Sequence, residues 1–297
     1  MELKPVSLSS KADMDKIFRT ENSPSADYCF GNIYMWDKRY KQKVCIVEDR
    51  LVTLISGMGE DYFSFPVGSG DIVPAFSAMR EYCAENGLTL KLCGVTDKHR
   101  ALMERAFPDE FLYTPERDYF DYLYPVEKLI SYSGKHLHAK KNHCNKFESE
   151  NEWSFVSLTP ELICECEIML EKWNEKEAER LSQGIIDEHD AILRGLKDYV
   201  NLGLEGGMLF ANGSPVGFAI GEKLSETCFC EHFEKAYTDI PGAYPMVCRE
   251  FAKMIKTKHP EICYVNREDD LGSPSLRQSK LSYQPELLLT KYTAVEL

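Results

Sequence analysis

The sequence predicts an α+β protein with two mixed, mostly antiparallel sheets, each flanked by helices and set side by side. Two observations carry this reading. One order of elements, three strands, helix, strand, helix, strand, is legible twice along the 297 residues. Matching anchors sit in both copies. Arg80-Glu81-Tyr82 in the first long helix answers Arg249-Glu250-Phe251 in the second, at an offset of 169. Tyr113-Thr114-Pro115-Glu116 answers Tyr283-Gln284-Pro285-Glu286, at an offset of 170. Two anchors at nearly one offset argue for an internal duplication. The expected domains are 1–125 and 126–297.

In chain order, a helix fits Lys11–Arg19 after Ser9 and Ser10. The stretch SADYCFGNIYMW (Ser25–Trp36) places aromatics at uneven spacing and reads as a packing surface. Strands fit Val44–Glu48 and Leu51–Ile55 about an Asp49-Arg50 turn, then Tyr62–Phe65. Ile72–Glu85 is helical, with Phe76, Met79 and Cys83 on one face and Asn86-Gly87 as its stop. Leu88–Val95 is an apolar strand, Thr96 caps a helix to Ala106, and Asp118–Tyr124 is the last strand of the copy.

The second copy repeats the order. Gly207–Ala211 and Val216–Lys223 flank an Asn212-Gly213 hairpin turn, and Thr227–Phe233 follows. A helix fits Ala243–Lys256 after Pro241-Gly242, a short strand Cys263–Asn266, a helix Pro274–Lys280, and a closing strand Leu287–Ala294. Two more helices, from Thr159-Pro160 to Trp173 and over Asp187–Leu204, belong at the front of this copy. Two such units place a cleft between them, where ligands gather.

Composition narrows the function. Apolar residues are 43% and charged residues 28%, ordinary for a folded chain. A net charge of −13 opposes nucleic acid and anionic membranes except at a local basic patch. No apolar run is long enough to span a bilayer, and MELKPVSLSSKADMDKIF lacks the apolar region of a signal peptide. The 11 cysteines include no CxxC pair, so they read as reduced, mostly buried thiols in a cytoplasmic protein.

The duplication supplies an internal control for the site. The strand Leu88–Val95 runs out in Val95-Thr96-Asp97-Lys98, whereas its counterpart ends in Asn266-Arg267-Glu268-Asp269. Tyr62-Phe63-Ser64-Phe65 is plain, whereas Cys230-Glu231-His232-Phe233-Glu234-Lys235 is crowded with ionisable groups. A period of two puts His232 and Glu234 on one face and Glu231 and Phe233 on the other. One pair suits acid–base work, and equally an ordinary ion pair on a solvated face. A metal held by His232, Glu234 and Glu268 has no tidy ligand spacing, and no metal is expected.

Asn266 at a strand end can fix a carbonyl or amine. Arg267, Arg277 and Lys280 offer positive charge to a phosphate, a carboxylate or an oxyanion, or they simply pair with Glu268, Asp269 and Asp270. Arg277 and Lys280 are three apart and share a helix face. The one strongly basic run, GKHLHAKKNHCNK (Gly134–Lys146), suits a phosphate-rich ligand or is a solvated helix. The helix start after Gly242 is a second phosphate candidate.

Several motifs together carry a resemblance: HFEKA (His232–Ala236), Gly242-Ala243-Tyr244, NREDDLG (Asn266–Gly272), Leu276-Arg277, the Lys280–Pro285 segment, and GKxxHxKKN ahead of them. They resemble a bacterial family of unknown function related to the soluble C-terminal domain of phosphatidylglycerol lysyltransferases. The resemblance covers nearly the whole chain. It implies two tandem GNAT-like (acyl-CoA N-acyltransferase) domains and transfer through a tetrahedral intermediate. Related enzymes move an amino acid from aminoacyl-tRNA to a lipid head group, and cousins attach amino acids to a lipid-linked peptidoglycan precursor.

On that basis Glu234 or Glu268 takes a proton, and Lys280 and Arg277 stabilise the oxyanion or donor ester. His232, Asn266, Arg267, Asp269, Tyr244 and Tyr283 bind substrate. Lys135, His138, Lys140, Lys141 and Gly242 meet the donor's phosphates. The expected partners are an aminoacyl or acyl donor, a tRNA 3′ end among them, and a small-molecule or lipid head-group acceptor.

Two departures bear on the donor. The multi-helix membrane portion of the lysyltransferases has no counterpart here. The glycine-rich loop of coenzyme A-binding GNAT enzymes is replaced by AYTDIPGAYP, with Gly242 as its one glycine. A coenzyme A-dependent N-acyltransferase acting on a small amine remains an alternative. So does a non-catalytic ligand-binding protein on the same scaffold.

Overall fold

A computed structural model describes residues 1–57, 59–176 and 183–297. Its strands are β1 (Lys4–Pro5), β2 (Lys43–Val47), β3 (Arg50–Ile55), β4 (Tyr62–Ser64), β5 (Val67–Gly68), β6 (Lys91–Thr96), β7 (Phe111–Pro115) and β8 (Asp121–Pro125), then β9 (Trp153–Ser157), β10 (Glu205–Ala211), β11 (Ser214–Lys223), β12 (Cys228–Ala236), β13 (Tyr264–Asn266), β14 (Leu287–Leu289) and β15 (Lys291–Glu296). The helices are α1 (Lys11–Glu21), α2 (Phe30–Met35), α3 (Asp37–Tyr40), α4 (Ile72–Asn86), α5 (Asp97–Ala106) and α6 (Val126–Ser131), then α7 (His138–Glu150), α8 (Ile163–Lys176), α9 (Gln183–Lys197), α10 (Tyr199–Leu202), α11 (Ala243–Lys258) and α12 (Pro274–Ser282).

Two sheets form. The first runs β1-β2-β3-β4-β6-β15-β7, with β5 on β3, and the second runs β14-β8-β13-β12-β11-β10-β9. Each has one parallel pair, β4 with β6 and β12 with β13, in otherwise antiparallel pairing. The matching positions of those pairs agree with the duplication.

The expectation fails at the terminal strands. The last strand of the first copy, expected at Asp118–Tyr124, is β8 and pairs with β13 and β14 of the second sheet. The closing strand expected over Leu287–Ala294 is two strands. β14 stays in the second sheet, and β15 inserts between β6 and β7 of the first. A 125/126 boundary therefore does not separate the sheets. Duplicated units offer equivalent edges, so periodicity within a strand cannot say which edge it joins. Lys291, at the head of β15, lies 2.8 Å from both Asp121 of β8 and Asp27, and pins the crossing.

The long helices follow their apolar stripes. α11 buries Ala243, Met246, Val247, Phe251 and Ile255 at three- and four-residue spacing. With α6 and α7 it covers one face of the second sheet, a core that includes Leu209, Ala219, Phe229 and Val265. The opposite face, with Met208, Phe218, Ile220 and Phe233, belongs to the core of the first unit, shared with α1, α2, α4, α8 and α9. One apolar core thus runs from the first sheet to the back of the second. The Ser25–Trp36 segment is its joint: Phe30, Ile33 and Met35 are buried, and Trp36 packs on Phe233.

Candidate functional site

The site grows out of a divergence between two strands. β12 and β13 pair in parallel only from Cys228↔Tyr264 to Cys230↔Asn266, whereas β12 continues to Ala236. Beyond that point side chains cross the gap, on both faces of the sheet.

A β-bulge decides which side chain goes where. Across β11, Ile220 faces Phe233 and Gly221 faces Glu231, so His232 is the extra residue. Gly221 opposite it admits no side chain, since a Cβ there would lie 1.9 Å from the Cys230 carbonyl oxygen. The bulge overturns the simple alternation read from sequence. Glu231 and Glu234 turn to the same partner, Arg267, with contacts of 2.8 and 2.9 Å. His232 turns the other way, to Glu222 and Glu268.

On the face toward the first unit, His232 Nδ1 donates to Glu268 Oε1 at 2.8 Å and Nε2 donates to Glu222 Oε1 at 3.1 Å. An imidazole with a carboxylate at each nitrogen is an imidazolium, the form with two N–H donors. Burial disfavours that charge, yet the His232 pKa is raised well above its usual value, with Cys230 and Cys29 hydrogen-bonded to the ring and a carboxylate at each nitrogen. Asn32 Nδ2 also donates to Glu268 Oε1, at 3.0 Å, and Glu268 Oε2 accepts no hydrogen bond among the described residues. The Glu268 backbone lies in the left-handed region (φ 56°), and its N–H is held by Asn266 Oδ1 at 2.7 Å. Such a conformation persists where its surroundings enforce it.

Glu268 opens into a cavity of about 390 Å³ at the junction of the two sheets. Trp36, Tyr40, Tyr62, Tyr119 and Tyr292 line it. Among the described residues, so do five carboxylates, Asp27, Glu116, Asp121, Glu268 and Asp269, against one cation, Lys291. That lysine is already committed to Asp27 and Asp121. Burial pushes the Asp269 carboxyl up to about 7, and neighbouring Lys291 and Lys280 only partly offset it. The cavity is therefore aromatic and anionic, suited to an organic cation.

On the other face Arg267 is enclosed by Glu231, Glu234, Tyr124 and Tyr283. Burial pushes the Glu234 carboxyl up to about 8 against the pull of Arg267. Lys140 of α7 lies 4.0 Å over the Tyr283 ring, and burial lowers its pKa.

The predicted residues thus separate. Glu268 and Asp269 line the cavity, with His232 and Asn266 directly behind Glu268. Arg267, Glu234, Tyr283 and Lys140 gather on the opposite face. Arg277 and Lys280 lock the 266–272 turn. Arg277 binds Asp270 at 2.7 and 2.9 Å and Asp118 at 2.6 Å. Lys280 donates to the carbonyls of Arg267, at 2.6 Å, and Asp269. Tyr244 accepts a hydrogen bond from Trp173 Nε1 at 3.2 Å.

Lys135, His138 and Lys141 are exposed on or just before α7, behind the second sheet and away from the cavity. Gly242 abuts that helix, since a Cβ there would lie 2.6 Å from the His143 carbonyl oxygen. Sequence reasoning missed Asn32, Glu222, Asp121, Lys291 and the aromatic wall. Uncommon charges heading apolar strands, at Asp121 and Lys291, were the available signal.

Comparison with known proteins places the chain. The family described as phosphatidylglycerol lysyltransferase, C-terminal, matches residues 19–295. The chain belongs to that family. A conserved protein of unknown function from Bacteroides thetaiotaomicron VPI-5482 is 31% identical, covers 100% of both chains and superposes with a TM-score of 0.94. The family fold extends further. L-PGS from Bacillus licheniformis shares it at 13% identity and a TM-score of 0.68, over 99% of this chain and 92% of that one. A tandem GNAT protein from the clavulanic acid biosynthesis pathway shares it at 11% identity and 0.51, over 99% and 98%. The fold is thus the tandem GNAT-like one. An uncharacterized protein of Mycoplasmoides gallisepticum is 28% identical over 178 residues, which span 58% of this chain and 54% of that protein's own length. Among the described residues no helix is long and apolar enough to cross a membrane.

Proposed function

We propose that this chain is an acyltransferase that moves an aminoacyl group from aminoacyl-tRNA to an amine or hydroxyl acceptor, such as a lipid head group or a small molecule. One observation carries the reading. Glu268 presents a free Oε2 to an anionic, aromatic cavity while His232 and Asn32 hold its other oxygen. An amino acid esterified to tRNA offers the cavity an ammonium group and, beside it, an activated carbonyl.

In the proposed step Glu268 Oε2 accepts the proton of the acceptor as its nitrogen or oxygen attacks the ester carbonyl. The tetrahedral intermediate collapses, the bond to the ribose oxygen breaks, and that oxygen takes up a proton. Asp269, which lines the cavity and has a pKa near neutrality, is the proposed donor of that proton. Arg277 and Lys280 act through the turn that aims Glu268. A coenzyme A donor fits less well. Arg267 and its two glutamates fill the gap between β12 and β13, and an extended donor lying between those strands would have to displace them.

The test follows charged tRNA carrying labelled amino acid, with pooled lipid and small-molecule acceptors. Acceptor-dependent loss of label from tRNA is expected, falling about 10²–10⁴-fold in Glu268→Gln. Turnover of acetyl-CoA in place of aminoacyl-tRNA would establish the coenzyme A reading instead. Ligand retention without turnover of any acyl donor would identify a binding protein.

A further inference from the structure

We infer that Cys230, His232 and Glu268 form a three-ligand site for zinc or a similar borderline divalent metal, open on one side to the cavity. The triad comes from two places in the chain that the bulge and the left-handed turn bring together. Cys230 Sγ lies 3.4 Å from His232 Nδ1 and 3.7 Å from Glu268 Oε1, and the latter two are 2.8 Å apart. Zinc bonds of about 2.3 Å to sulfur and 2.0 Å to nitrogen and oxygen give tetrahedral edges of roughly 3.5, 3.5 and 3.3 Å. Two edges are already near those lengths. The third widens by about half an ångström when the metal replaces the proton between Nδ1 and Oε1.

The surroundings are those of a ligand set. Glu222 takes the other ring N–H, at 3.1 Å, which fixes the tautomer that leaves Nδ1 free for a metal. Gly31 makes room for that carboxylate, since a Cβ there would lie 2.1 Å from Glu222 Oε1. Asn266 holds the Glu268 backbone. Glu268 and Asn32 line the cavity, so that is the side from which water or a substrate atom would complete the tetrahedron. A mixed sulfur, nitrogen and oxygen set suits zinc better than magnesium or calcium. On binding, one proton leaves Cys230 Sγ and one leaves Nδ1. Cys29 and Glu222 flank the opposite ring nitrogen, but that side does not open on the cavity, and its carboxylate serves as the orienting partner.

The readout is metal binding and is independent of any transfer activity. Cobalt(II) is titrated into the full chain carrying Cys164→Ser and Cys263→Ser, which removes the two exposed thiols. Zinc then displaces it in the presence of a chromophoric chelator. One equivalent of cobalt with a sulfur-to-metal charge-transfer band is expected. Cys230→Ser should abolish the band and Cys29→Ser should leave it. Glu222→Gln should weaken zinc binding about 10–100-fold with the ligands intact. Circular dichroism confirms that each variant is folded. No band at one equivalent, a band that survives Cys230→Ser, or loss of the band in folded Cys29→Ser would overturn the proposal.

Discussion

Asp269 and Asp270 are neighbours with opposite electrostatics, and each makes a prediction. Burial next to the cavity raises Asp269 to about 7. Its folded pKa lies above its unfolded value of 3.8, so the folded state holds the extra proton. That contribution is full below pH 3.8 and is lost as pH rises to about 7. Asp269→Asn should therefore gain Tm over the wild type from pH 4 upward and level off above about pH 7. In the transfer assay it should also erase the limb of the rate profile near neutrality. A Tm difference that does not change with pH would show that Asp269 is ionised throughout. Asp270 behaves in reverse. Burial alone would raise it, but Arg277, Tyr122 and the Gly272 N–H bring it down to about 2. Its stabilisation is present above pH 3.8 and disappears as pH falls through 2. The magnitude is roughly 2 kcal/mol. Asp270→Asn should lower stability at pH 7 by about that amount and match the wild type near pH 2, measured by urea unfolding.

The turn 266–272 and the bulged strand β12 form the element on which the site depends, and they divide what sequence could say from what it could not. The crowding of Asn266–Asp270 was legible, because the matching strand of the first copy lacks it. The short apolar strand before it and the helix after it were legible as well. The direction of each side chain was not. Period two holds only in an unbroken ladder, and one extra residue at His232 reverses the pairing of everything after it. Glu234 was grouped with His232 for that reason, and it sits with Glu231 and Arg267 instead. The mark of the bulge is Gly221 on the neighbouring strand, unremarkable until its contacts are known. Gly221→Ala drives a methyl into the Cys230 carbonyl. It should cost about 1–3 kcal/mol and detach His232 from Glu268. The second effect is visible as an upfield shift of the His232 imidazole N–H resonances when the hydrogen bond to Glu268 is lost, and a variant with wild-type stability and an unchanged His232 environment would refute this origin of the bulge.

At the scale of the molecule, duplication was readable from the anchors and the exchange of strands was not, because identical edges compete for the same strand and distant contacts choose between them. The consequence is mechanical coupling. β15 closes the first sheet between β6 and β7, β8 sits inside the second, and Lys291 ties both to the aromatic segment through Asp121 and Asp27. Asp121 is fully buried, and its Oδ1 has Lys291 as its only close partner among the described residues. Removing the lysine leaves that charge uncompensated in the interior, at a cost of about 3–5 kcal/mol. The apolar core is likewise continuous across the junction. The two units should therefore unfold together. Trp36 reports on the aromatic segment beside the first sheet, and Trp153 heads β9 at the far edge of the second. Single-tryptophan versions retaining one or the other should show the same urea midpoint, and Lys291→Ala should shift both midpoints down by equal amounts. Deleting residues 291–297 should abolish the native signal of Trp153 as well as that of Trp36, although β15 belongs to the first sheet alone. Separate midpoints, or a second sheet that stays folded without β15, would mean that the crossing joins two independent domains, and the cavity at their junction would then open and close with their relative motion.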